Sequence, residues 1–240
     1  MKTKSTFLGL IILSVLCTSC DHETIRASNS VTTNEIQLSD YSGLRLSNAF
    51  NAYITFSNTE EKIEIEANDN LHKKIIVRKE GENLIVKLQN HTTIQGNATL
   101  NVYITTTKIN SFDISGASSV YLENVLDAQD VAIELSGASN FTGDIFATTL
   151  DLNNSGASKA TVFGAIDNLD ASLSGSSTFG SYELVIKQLA VNLSGSSDAS
   201  LTVNESIAID ATGASTLKYK GAAVVTHKEL SGASQIIKND

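Results

Sequence analysis

The chain has 240 residues, 41% of them hydrophobic and 18% charged, a composition that belongs to a globular protein with a sizeable core and is neither disordered nor fibrous. Its 17 Lys and Arg stand against 26 Asp and Glu, and a formal charge of −9 argues against nucleic acid or an anionic lipid surface as partner, since both need basic clusters. Pro and Trp are absent while Gly numbers 15, which suits short, doubly paired strands joined by tight turns better than packed helices.

Residues 1–19 read as a secretory signal peptide. Lys2 and Lys4 precede an apolar stretch from Phe7 to Leu16, and small residues then lead to Cys20. Crossing a bilayer as a helix takes about 20 apolar residues, so this stretch is too short to remain as an anchor. Cys17-Thr18-Ser19-Cys20 resembles the lipobox of bacterial lipoproteins, with Cys17 where Leu is usual; Asp21 and Glu23 follow, as in surface lipoproteins of Bacteroidetes-type bacteria. The resemblance implies that Cys20 is lipidated and becomes the first residue, held at the outer membrane on its periplasmic or cell-surface side. With the signal gone, Lys2 and Lys4 are lost and the charge of −9 becomes −11, and one Cys remains, so no disulfide, thiol nucleophile or Cys-based metal site is expected. Residues 20–33, polar and without period, read as a tether between lipid and fold.

Residues 34–110 are strand-like but irregular. Asn51–Phe56, Lys62–Glu66, Lys74–Val77, Leu84–Leu88 and Leu100–Ile104 alternate or run apolar, separated by Asn68-Asp69-Asn70 and Glu80-Gly81-Glu82-Asn83. They are expected to form irregular first rungs, or a small sheet capping the C-terminal half of the chain.

Residues 111–240 repeat. Ser115-Gly116-Ala117-Ser118 returns with small changes at 136–139, 155–158, 174–177, 194–197, 212–215 and 231–234, in steps of 21, 19, 19, 20, 18 and 19 residues. A fixed period of this length means one supersecondary unit per repeat, stacked as a solenoid. Before each turn the sequence alternates, as in Val131/Ile133/Leu135 and Leu150/Leu152/Asn154 against Ala132/Glu134 and Asp151/Asn153, so each repeat supplies a strand with one buried and one wet face. A second short strand follows each turn, and a rung of about 19–20 residues then has no room for a helix. The fold expected is all-β, a right-handed parallel β-helix. Gly at the turn supplies a left-handed or bulged backbone, and small neighbours suit a column repeated every ~4.8 Å.

Phe50-Asn51-Ala52-Tyr53-Ile54 and Leu84-Ile85-Val86, followed by the tandem Ser-Gly-Ala-Ser turns, resemble the auto-transporter adhesin, head GIN domain family, over roughly residues 36 to 238. The resemblance implies a right-handed β-helix and an adhesin role, and brings no site residues with it.

The chemistry of the chain points the same way. An enzyme acting on polysaccharide, the alternative reading, needs a break in the repeat that gathers acids and bases, and only Asp151 and Asp170 are expected to stack one rung apart. His22, His72, His91 and His227 are scattered, and zinc, phosphate-loop and nucleophile-elbow motifs are absent, so no catalytic residue, metal ligand or cofactor is assigned. Tyr121, Phe141, Phe163, Phe179 and Tyr219, on the strand after the turn, are the candidate ligand face, because sugar rings stack on exposed aromatics. The expected function is a lipid-anchored, non-catalytic surface-binding or scaffold module. Its expected partners are the membrane through the lipid, a glycan or extracellular protein, and a second copy along the solenoid side.

Overall fold

The computed structural model describes residues 23–240; the expected signal peptide and Cys20 lie outside the described residues. The chain winds as a parallel β-solenoid. Each regular rung carries three segments in register with those of the next. A turn-entry strand such as Val131–Leu135 leads to the tetrapeptide, a turn-exit strand such as Asn140–Thr142 comes after it, and a closing segment such as Ile145–Ala147 leads into the next rung. Apolar residues at alternate places fill one continuous core, in which Leu135, Leu152, Leu173, Leu193 and Ile209 are all at most 2% exposed.

The turn chemistry arises from this stacking. Gly156, Gly175, Gly195 and Gly213 have φ between +73° and +78°, and a Cβ on any of them would lie 2.4–2.6 Å from the carbonyl oxygen of the Gly one rung earlier. That oxygen accepts a hydrogen bond from the residue after the Gly, as in Ser176 N to Gly156 O at 2.7 Å. The fourth turn residue is buried at Ser118, Ser139, Ser158, Ser177, Ser197 and Ser215. Ser139 and Ser215 donate their hydroxyls to the first turn carbonyl at 2.8 and 2.9 Å, and Ser177 donates to Asn154 O of the preceding rung at 3.2 Å. All six are buried, so that column cannot serve as a recognition face.

Stack order departs from chain order at the N-terminal end. Gly43–Leu46 and Asn51–Phe56 form a rung whose corner, Ser47 to Phe50, has positive φ at Asn48 and Ala49 and lies against Gly116 through Ala49 N to Gly116 O at 3.0 Å. This rung pairs on one side with Ser111–Ile114 and Ser119–Leu122, and on the other with Asn83–Leu88 and Leu100–Thr106. The chain therefore goes outward after Phe56, builds a terminal rung, and returns past the first rung to start the regular repeat. Beyond the terminal rung the pairing turns antiparallel, with Ile75–Glu80 on Asn83–Leu88, and with Lys62–Asn68 between Leu100–Thr106 and Val31–Ile36. Residues 34–110 are thus both solenoid rungs and cap.

The segment expected as a tether is part of that cap where it is described. Glu23–Arg26 pairs with Thr92–Gln95, and Val31–Ile36 with Lys62–Asn68. Val31 to Glu35 are exposed, so backbone hydrogen bonds to a sheet edge, which leave no hydrophobic pattern, order this stretch. The one helical element among the described residues is a short 3-10 turn, Asp69–Lys74, that seats Leu71 in the core.

Candidate functional site

Pleating decides which aromatics can meet a ligand. Side chains alternate faces along a strand, so the parity of the distance from the turn sets the direction. Phe141 and Phe179 share an inward column with Val120, Ala160 and Ala199 and are 0% and 3% exposed, and Tyr219 packs inward at 7%. The expected five-residue ligand face is therefore corrected, because three of its rings are core. Phe163 is half-buried, paired with Asp144 beside the corner at Gly164.

Tyr121 does point outward, and it has company that chain order conceals. It pairs with Tyr53, and Tyr53 with Tyr103 in the terminal rung. The rings stack at centroid distances of 5.3 and 5.2 Å, with 17° between planes in each case. Both faces of Tyr53 are covered by its neighbours. Tyr121 keeps a face toward Thr142, the next residue in register, which is too short to cover the ring.

Beside the ladder lies a polar relay. Asn51 Nδ2 donates to Asn101 Oδ1 at 3.2 Å, Asn101 Nδ2 to Glu66 Oε2 at 2.7 Å, and the Tyr103 hydroxyl to the same Glu66 oxygen at 3.1 Å. Desolvation in the stack, then the hydrogen bond and negative charge of Glu66, raise the Tyr103 pKa above the ordinary phenol value, so the hydroxyl stays a neutral donor. Tyr103 is 39% exposed. Aromatic rings, amides and a carboxylate thus lie side by side on one outward face.

A second surface runs along the outside of the turn-entry sheet. Arg45 pairs with Asp113 and Asp113 with Glu134; Asn153, Ser172 and Asn192 continue the column; Asp210 and Glu229 end it. Its middle lines an open groove of about 490 Å³ beside the turns. Asp151 and Asp170 stack in register as expected, both exposed, and Asp151 accepts a hydrogen bond from Asn153 at 3.2 Å. His72 contacts Thr32 Oγ1 at 3.0 Å in the cap, whereas His227 lies on the last rung with its Nε2 2.8 Å from Asp210 Oδ1. Asp210, His227 and Glu229 were outward places in the sequence too, but Asp210 stands 17 residues before His227, on the neighbouring rung, so no local motif joins them.

Among curated proteins, none matches the chain in sequence. Solved structures do match in fold. A putative adhesin from Bacteroides fragilis superposes with a TM-score of 0.80 at 19% identity, covering 90% of this chain and 100% of that one. A putative lipid binding protein from Parabacteroides distasonis gives 0.76 at 16%, covering 91% and 100%. A putative adhesin from Parabacteroides merdae gives 0.70 at 15%, covering 90% and 99%. The family model "Putative auto-transporter adhesin, head GIN domain" matches residues 40–223, which takes in the inserted first rung, the terminal rung and most of the repeat; the chain belongs to that family.

Proposed function

We propose that the chain is an adhesin-like binding module, exported and held at the outer membrane by lipid on Cys20, that docks a glycan on its tyrosine face and performs no catalysis. The observation that carries this reading is the Tyr103–Tyr53–Tyr121 ladder with its Asn51–Asn101–Glu66 relay. Three rings fixed by strand register offer a preformed platform, and a ligand that stacks on Tyr121 loses little to ordering the protein. Amide and carboxylate groups beside the rings supply donors and acceptors for sugar hydroxyls. The family description and the adhesin names of the structural neighbours support the same role.

A glycan array probed with the full chain, followed by titration of the strongest hit, tests it. Tyr121→Ala should weaken binding about two- to tenfold, the loss expected for one aromatic contact, and Phe146→Ala, an exposed ring on the closing segment, should not. Equal affinity of Tyr121→Ala and the parent would remove the ladder as the docking face. Breakdown of the bound glycan by the parent would overturn the non-catalytic reading.

A further inference from the structure

The outward column of the turn-entry sheet carries two stacked acidic pairs, one at each end, and they have different neighbours. Side chains directly opposite on neighbouring strands sit close together, so like charges there repel. At the N-terminal end Asp113 and Glu134 are in register, and the guanidinium of Arg45, the next residue in the column, lies 3.4 Å from Asp113. At the C-terminal end Asp210 and Glu229 are in register, and no Lys or Arg is ion-paired to either among the described residues; the group between them is the imidazole of His227.

His227 and Glu229 alternate on one strand and so share the outward face, while His227 is paired with Ala208, whose small side chain leaves the space over Asp210 open. His227 Nε2 is 2.8 Å from Asp210 Oδ1 and 3.9 Å from Glu229 Oε1, and the three ligand atoms all lie within 4.8 Å of one another. A Thr226 bulge, between Val225 paired to Ile207 and His227 paired to Ala208, sets this geometry by keeping Val225 inward and His227 outward on the same strand.

We propose that Asp210, His227 and Glu229 form a binding site for a divalent cation of the zinc class. One imidazole nitrogen and two carboxylate oxygens make a donor set suited to such an ion, and bond lengths of about 2.0–2.2 Å are within reach of three exposed side chains. Binding uses the Nε2 lone pair of the neutral imidazole, in the tautomer that carries its one proton on Nδ1, so the ion takes the place of the hydrogen bond between Nε2 and Asp210. The ion ties the last rung to the one before it and keeps a coordination position open to solvent or to a ligand oxygen. The site lies on a different sheet from the tyrosine ladder and does not depend on glycan binding there.

The test uses the chain from residue 20 onward with Cys20→Ser, which removes both the lipid and the one competing thiol, and Zn²⁺ as probe. Calorimetry should show a saturable event with one ion per chain. His227→Ala and the double variant Asp210→Asn/Glu229→Gln should each weaken it about tenfold or more, and His72→Ala should leave it unchanged. Saturating Zn²⁺ should raise the melting temperature of the parent and not of His227→Ala. These positions are exposed, so the variants keep the fold, which circular dichroism verifies. No saturable binding in the parent, equal binding by His227→Ala, or full binding by the double carboxylate variant would overturn the site.

Discussion

Leu152 and Asn153 are adjacent in the chain and opposite in fate. Leu152 is 0% exposed between Ile133 and Ala171, while Asn153 stands in the wet column between Glu134 and Ser172. Leu152→Asp places an unpaired charge between rungs at a cost of several kcal/mol, a large share of the roughly 5–15 kcal/mol that holds a domain folded. Asn153→Asp adds a like charge beside Glu134 and Asp151, costing at most about 1 kcal/mol and recovered in salt. Melting curves at low and high salt should show the first variant unfolded or strongly destabilised and the second near the parent. The reverse order would mean that the register is wrong by one residue. The next inward position makes a different point: Asn154 occupies a column of leucines yet is 1% exposed, because its amide donates to Thr178 O at 2.9 Å and accepts from Ser158. A buried polar group is tolerated there because the corner satisfies it.

The corner is the element on which the stack depends. Two constraints meet at Gly175: a φ of +76°, which L side chains rarely adopt, and the Gly156 carbonyl oxygen 2.5 Å from where a Cβ would sit. Gly81, in the cap hairpin, meets the first constraint alone, with φ +60° and nothing within 4 Å. Gly81→Ala should therefore cost about 1 kcal/mol, and Gly175→Ala about 3 kcal/mol, since the second also breaks the Ser176 N to Gly156 O bond. Denaturant titrations of both variants measure the difference. Equal losses would show that backbone conformation alone, and not stacking, demands Gly at the corner.

At the scale of the whole molecule, attachment and binding are separable. The formal charge of −9 works against electrostatic association with anionic lipid, and no helix among the described residues is long and apolar enough to cross a membrane. In the proposed lipoprotein, acyl chains on Cys20 would hold the chain at the membrane, and two chains would suffice for stable anchoring. Cys20→Ser should move the protein to the soluble fraction and abolish labelling by a clickable fatty acid, while the solenoid and its glycan affinity stay unchanged. A mutant still labelled and still sedimenting with membranes would dispose of the lipid anchor.

Period, turn and alternation are local properties, and they were legible residue by residue. Gly at a stacked corner, apolar side chains at every second place and steps near 19 residues specify a parallel solenoid, because each rung has only one way to bury its face against an identical neighbour. Tertiary structure decided what long-range pairing assembles. The first rung, residues 43–56, lies between rungs that come later in the chain, so Tyr103, Tyr53 and Tyr121 stack although no repeat relates them. The same cause hid the site at Asp210, His227 and Glu229, where a one-residue bulge and a register across two rungs set the geometry. It also turned Phe141, Phe179 and Tyr219 from a supposed ligand face into core: an aromatic announces its chemistry in the sequence, but the face it occupies depends on counting from a turn, and the neighbour it meets depends on which strand arrives beside it.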